Sequence, residues 1–408
     1  MNAELKKIKK EYTNILEEYL SKTKSEDLID QVFSGYSSNS SSSNQANTLF
    51  NESFKIRSVI DRIITLTEKN LTSKKHLNLL LNLAKLSLSR GELFLSSDIY
   101  SQVLFRTTNL DNLLSETAFA FKGLGEVSSL QAKWNESFSY VRKAKKIFEK
   151  LNDIKGIAGC ENLLGTFYAE KGILNSAKEH FDSGLARIKG KKSGNLDALI
   201  LVNLGILNNI IGNSKEAEKN YRTALAKFEK AADNKRIAET HHNLGMLFTQ
   251  LGNYKSALSQ FNISVKVSSK NKNLLTLAIS YLGKAYIYAE MNELNLASDF
   301  IEKGMEISNQ LNDRLTIADV YKVRGIIERK SKNYDLSESY LLTSLRINSE
   351  LGNKLNYSET SYELGLLYFE LNQPKKSIKH LNIALKYFKK IRAISEVKKI
   401  ESLVIKLK

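Results

Sequence analysis

The sequence predicts an all-α solenoid, a stack of antiparallel helix pairs, and three observations carry that prediction. Small residues recur every forty positions through most of the chain. Between them, apolar residues recur every three or four positions, which sets them on one face of a helix. The 408 residues include a single proline, so long helices can run unbroken, and 20 glycines are too few for a collagen-like chain.

The recurrence is clearest at Gly125, Gly165, Gly205, Gly245, Ala285, Gly325 and Gly365. With 20 glycines in 408 residues, six at seven preset positions arise by chance on the order of 10⁻⁷ of the time, before allowing for the choice of period and register. Seven residues earlier stands a second small column: Ala118, Ala158, Ala198, Ala238, Ala278, Ala318 and Ser358. Twelve residues later stands a third: Ser137, Ala177, Ala217, Ala257, Ala297, Ser337 and Ser377. A bulky column follows at Val141, Phe181, Tyr221, Phe261, Ile301, Leu341 and Leu381. Each unit holds two helical stretches, A and B, separated by breaks such as Gly212-Asn213 and Gly252-Asn253, which tolerate the left-handed backbone that ends a helix. Units are joined at Leu151-Asn152-Asp153, Leu311-Asn312-Asp313 and Leu351-Gly352-Asn353, where one helix ends and the next is capped. A lone pair cannot bury its apolar face, so neighbours must stack into a continuous core.

Taken in order, residues 1–33 read as an N-terminal amphipathic helix striped by Leu5, Ile8, Tyr12, Ile15, Leu16, Tyr19 and Leu20. That helix either docks on the first repeats or binds another protein. Residues 34–48 read as a serine-rich flexible linker, residues 49–391 as the superhelix of about eight repeats (seven of them clear from residue 112), and residues 392–408 as a basic capping helix. The upstream eighth unit centres on Leu83-Ala84, Gly91, Ser96 and Tyr100.

Composition removes most chemistry. One cysteine, Cys160, excludes an internal disulfide framework and a multi-cysteine metal site, and it reads as a buried structural thiol. Five scattered histidines offer no metal cage, and the adjacent His241 and His242 point apart on a helix. No phosphate-cradling Gly-x-x-x-x-Gly-Lys-Ser/Thr loop occurs. The sequence therefore predicts no enzyme, no cofactor and no metal. No apolar run approaches the ~20 residues of a spanning helix, and Met1–Tyr12 lacks a signal-peptide core, so the default address is the cytoplasm. The net charge is +17, and over half of it sits late: from Gln373 onward, 11 basic residues face Glu396 and Glu401. Lys375, Lys376, Lys379, Lys386, Lys389, Lys390 and Arg392 form a candidate basic patch for an acidic protein surface, an anionic membrane surface or RNA. Tandem aromatic platforms for single-stranded RNA are not evident.

The unit Leu244-Gly245, Phe248, Gly252, Tyr254, Ala257 and Phe261 resembles the tetratricopeptide repeat family in its longer, forty-residue variety. That variety is found in partner-binding scaffolds and in peptide-responsive bacterial regulators. The resemblance implies a right-handed superhelix whose concave groove is lined by A helices, and it places Lys122, Asn162, Thr166, Asn209, His242, Met246, Tyr286, Lys322, Arg329, Tyr362 and Phe369 there as partner-binding residues. Val202, Ile206 and Leu282 line the same stretch or pack between neighbouring A helices. An apolar middle holding Met246 and Tyr286 suits an amphipathic helix or apolar peptide. The function expected is a non-enzymatic scaffold for protein–protein contacts. Two rivals stand beside it: a peptide-responsive regulator with an N-terminal effector region, akin to response-regulator phosphatases, and an RNA or membrane-surface binder acting through the C-terminal lysines.

Overall fold

The computed structural model describes residues 3–34 and 45–407; residues 35–44 of the expected serine linker lie outside the described residues. Twenty α-helices, and no strand, occur among the described residues. In chain order they are α1 (Ala3–Glu17), α2 (Lys22–Phe33), α3 (Gln45–Glu68), α4 (Ser73–Ser89), α5 (Leu93–Thr107), α6 (Leu114–Leu130) and α7 (Trp134–Lys150). There follow α8 (Ile154–Glu170), α9 (Leu174–Ile188), α10 (Leu196–Ile210), α11 (Ser214–Lys230), α12 (Asn234–Gln250), α13 (Tyr254–Asn271) and α14 (Leu274–Glu290). The last six are α15 (Leu294–Leu311), α16 (Arg314–Lys330), α17 (Tyr334–Glu350), α18 (Lys354–Glu370), α19 (Pro374–Lys390) and α20 (Ile394–Lys406). Even-numbered helices from α4 onward are the A helices and odd-numbered ones the B helices, which gives an all-α solenoid of stacked pairs.

The small columns have a direct cause. A β-carbon at Gly205 would lie 2.5 Å from the Tyr221 ring, one at Gly245 2.7 Å from Phe261, and one at Gly365 2.6 Å from Leu381. The bulky residue sixteen positions later presses on the A-helix backbone, so only glycine fits beneath it. Where Ala285 replaces glycine, the facing residue is the slimmer Ile301, and both are buried in one cluster. Serines in the third column add a hydrogen bond to the same spot: Ser137 donates to the Gly125 carbonyl (2.8 Å), Ser337 to Gly325 (2.8 Å) and Ser377 to Gly365 (2.7 Å). Because Tyr221 is only 1% exposed and has no room to retreat, Gly205→Val should lower stability by about 1–3 kcal/mol through overpacking. The urea midpoint of the helical signal measures that loss, and an unchanged midpoint would mean that the A and B helices are not in contact there.

Turns repeat with the same period. Gly212 (φ +85°), Gly252 (φ +71°), Asn292 (φ +61°), Lys332 (φ +63°) and Asn372 (φ +54°) adopt the left-handed conformation at successive A–B turns. Each lets the chain reverse while the next amide returns to the helix, as Asn253 N–H does to the Phe248 carbonyl (2.9 Å).

The chain divides into two compact units, Met1–Leu163 and Leu164–Lys408. In the first, the span read as one N-terminal helix is two, α1 and α2, because Ser21 caps a new start by accepting from the Lys24 amide. Tyr12, Leu16, Ile29 and Val32 are buried in one core with Ile60, Ile63, Leu80 and Val103, so both helices dock on α3–α5. The Arg90 guanidinium fixes α1 by pairing with Glu11 at 2.5 Å and lying over the Tyr12 ring. In the second unit, A helices touch one another from repeat to repeat (α10–α12, α12–α14, α14–α16 and α16–α18), which makes them the inner, more tightly curved layer.

Candidate partner-binding hollow

The A helices of the second unit form the candidate hollow, and its chemistry changes along the stack. Near α10 and α12 it is apolar: Ile206 is 38% and Met246 45% exposed. Leu282 does not reach it, and Val202 is half-buried. Val202 packs against the clusters around Tyr221 and Phe228, and Leu282 is buried against α16. His242 is enclosed as well. Its ring lies 5.4 Å from the Phe261 ring and its Nδ1 is 3.3 Å from Ser280 Oγ, and burial pushes its pKa down to about 4. Its neutral ring packs between α12, α13 and α14. Its neighbour His241 turns the other way, with Nδ1 2.8 Å from Gln260 Oε1.

From α14 to α18 the hollow is charged and aromatic. Lys322 Nζ donates to Asp319 (3.1 Å) and to Glu359 (2.5 Å). Burial opposes its charge, but the two carboxylates outweigh burial and hold the ammonium above its ordinary range. Arg329, 8% exposed, donates to Glu363 at 3.0 Å and also to Glu370, and Lys330 pairs with Glu290 at 3.2 Å. Burial lifts the Glu363 carboxyl, offset in part by Arg329. Tyr286 and Tyr362 stand in the same field. Burial and then Glu363 raise both phenols, Tyr362 to about 12. Glu170, at the end of α8, also has its carboxyl raised by burial. Five carboxylates (Glu290, Asp319, Glu359, Glu363 and Glu370) thus meet three cations (Lys322, Arg329 and Lys330) in a chain whose net charge is +17. Asn209 keeps its Oδ1 buried without a hydrogen-bond partner, while its backbone carbonyl accepts from Gln250 at 3.4 Å.

The remaining sequence candidates fall as follows. Thr166, Asn209, Met246, Tyr286, Lys322, Arg329, Tyr362 and Phe369 belong to A helices of the second unit; Lys122 and Asn162 belong to the first, where Lys122 Nζ stands 3.9 Å from Glu126. All seven residues of the basic patch are exposed; Lys389 pairs with Glu401 at 2.7 Å and Lys376 lies over the Tyr368 ring. The carboxylates Glu359, Glu363 and Glu370 escaped the sequence reading. Each follows its cation by roughly one repeat, and that offset was the available signal.

Among the described residues no three His, Cys, Asp or Glu side chains gather to hold a metal ion, and no helix is long and apolar enough to cross a membrane. Cys160 is fully buried, and burial pushes its thiol up to about 12. A disulfide reagent at about pH 8 should therefore leave it untouched in the native protein and modify it at once in urea. Prompt reaction without denaturant would show the thiol exposed.

Comparison with known proteins agrees with this architecture. Residues 196–270, 278–311 and 316–390 match family models described as tetratricopeptide repeat. No curated protein matches the sequence. Among solved structures, the chain is similar to a Rap protein complexed with competence and sporulation factor, with a TM-score of 0.67 and 14% identity, over 85% of this chain and 98% of that one. It is also similar to the Rap conjugation gene regulator of plasmid pLS20 in complex with the Phr* peptide (TM-score 0.58, 16% identity, 79% and 97% covered). A third is aspartyl phosphate phosphatase F from Bacillus subtilis (0.56, 15% identity, 88% and 97% covered).

Proposed function

Because this chain is a tetratricopeptide-repeat protein, we propose that it is a non-enzymatic, cytoplasmic binding scaffold. The hollow of the second unit takes a protein or peptide segment that carries a cationic group beside apolar anchors. One observation carries this reading: the charged side chains gathered around Tyr286 and Tyr362 hold more carboxylates (Glu290, Asp319, Glu359, Glu363 and Glu370) than cations (Lys322, Arg329 and Lys330), against the sign of the whole chain. A solvated face of a lysine-rich protein would share its sign. Ile206 and Met246 offer an apolar stretch, and Glu359 and Glu290 an acidic one near Tyr286. One similar Rap structure is complexed with competence and sporulation factor and another with the Phr* peptide, a use of the fold consistent with this reading.

Random-peptide display on the immobilised full chain tests it. Selected sequences should be enriched in Lys or Arg next to apolar residues, and their affinity should fall as salt rises. Glu359→Gln with Glu290→Gln should weaken them about tenfold, because a charge pair with the partner's cation is lost. Enrichment of acidic or uncharged sequences would overturn the reading.

A regulator acting through N-terminal helices is the second reading. What favours it is the docking of α1 and α2 as a folded layer on the first unit, together with likeness in fold to an aspartyl phosphate phosphatase. Loss of phosphate from phosphorylated response regulators in the presence of the full chain would support it. The exposed basic patch keeps RNA or anionic membranes as a third reading, which requires steeply salt-dependent binding that vanishes without residues 373–408.

A further inference from the structure

The second unit closes on itself. Stacked repeats contact their neighbours, yet the corner between α19 and α20 meets helix ends three to five repeats away. Gly172, in the turn after α8, lies so close that a β-carbon there would be 3.2 Å from Ile391 Cγ2 and 3.5 Å from the Tyr387 hydroxyl. Leu174 and Ile210 pack against the cluster formed by Phe388, Ile391 and Ile400. Gln250 Nε2 reaches Glu396 Oε1 at 3.4 Å across 146 residues of sequence. Glu170, Ile210 and Gln250 are the last residues of α8, α10 and α12, one repeat apart, so a single edge of the inner layer receives the corner. The Glu170 carboxylate faces Tyr387 at this junction and adds to the burial that raises the phenol to about 12.

The contact is slight compared with the interfaces inside each repeat. It comprises one long hydrogen bond, an unpaired carboxylate beside a phenol, and a few aliphatic groups, whereas each hairpin interlocks along its full length. A junction of this kind opens before any repeat does. We infer that the α19–α20 corner is a clasp: its release widens the hollow to admit a partner segment, and its closure encloses the segment afterwards. This rests on the hollow being the binding site, but neither measurement below uses a partner, so it can fail or succeed separately from the peptide selection.

The first test is Gly172→Cys with Ile391→Cys in the full chain. Asn292, Lys332 and Asn372 hold the equivalent turn position with positive φ, so a side chain is tolerated at 172. Mild oxidation should join the two cysteines within one molecule, seen as a faster band on a non-reducing gel, while buried Cys160 stays free. Absence of that bond in a protein of native helicity would show that corner and turn do not meet. The second test adds Met246→Cys and follows its labelling by a maleimide carrying a bulky polymer. Locking the clasp should slow labelling about tenfold relative to Met246→Cys alone, and Gln250→Ala with Glu396→Ala should quicken it. Equal rates in all three proteins would overturn the gating role.

Discussion

Replacing Arg329 by leucine should destabilise the second unit by about 3–5 kcal/mol, the usual cost of stranding a buried charge. Among the described residues its guanidinium is the counter-charge within hydrogen-bonding distance of Glu363, and side-chain exposures of 9% and 12% leave the pair little water. Glu370, 36% exposed, can turn to solvent once released, whereas Glu363 cannot. The urea midpoint of the helical signal reads the loss. Two further results distinguish a buried pair from a surface one. Arg329→Leu combined with Glu363→Leu should recover most of the stability, since apolar partners of similar volume pack without a desolvation cost. The deficit of the single variant should also narrow as pH falls, because burial alone then lifts the Glu363 carboxyl and a proton neutralises it. A loss below about 1 kcal/mol, unaffected by the second change, would class the pair as screened and exposed.

The contrast between what the sequence disclosed and what it hid follows from how each feature is encoded. Gly205 and Gly245 were legible because the rings of Tyr221 and Phe261 leave no room for a methyl group, and the same steric requirement recurs at six of the seven positions. The left-handed turns were legible at Gly212 and Gly252 for the same reason, and less so at Lys332 and Ala132, where an ordinary side chain accepts the strain. Lys322 and Arg329 could be placed on A helices from the period alone. Their partners could not, because Glu359 and Glu363 belong to the next A helix and nothing in a single repeat announces them. The phase of Val202, Ile206 and Leu282 fits either the inner face or packing between A helices, and the structure separates them: Leu282 is buried against α16, Val202 is half-buried and Ile206 is exposed. Closure of the second unit at Gly172 and Ile391 leaves no local trace, since it depends on curvature summed over many repeats.

Lowering the pH from 7 to 4 should cost the native protein about 3 kcal/mol through His242 alone. In the folded chain burial takes this imidazole from 6.5 down to about 4, and one unit of such a difference is worth about 1.4 kcal/mol. The folded value lies below the unfolded one, so the unfolded chain takes up the proton first. The contribution is intact above pH 6.5, drains away between 6.5 and 4, and changes no further below 4. His76 and His380 are also lowered, chiefly by burial, so the decline of the native protein is not due to His242 alone. His242→Gln isolates it: the amide can keep a hydrogen bond to Ser280 Oγ and does not titrate. Urea midpoints of both proteins across this range should converge or cross as pH falls, with the variant gaining about 3 kcal/mol relative to the native chain. Parallel curves would return His242 to solvent and to the lining of the hollow, where a protonated imidazole would add a fourth cation to the three already there and weaken the case for a cationic partner.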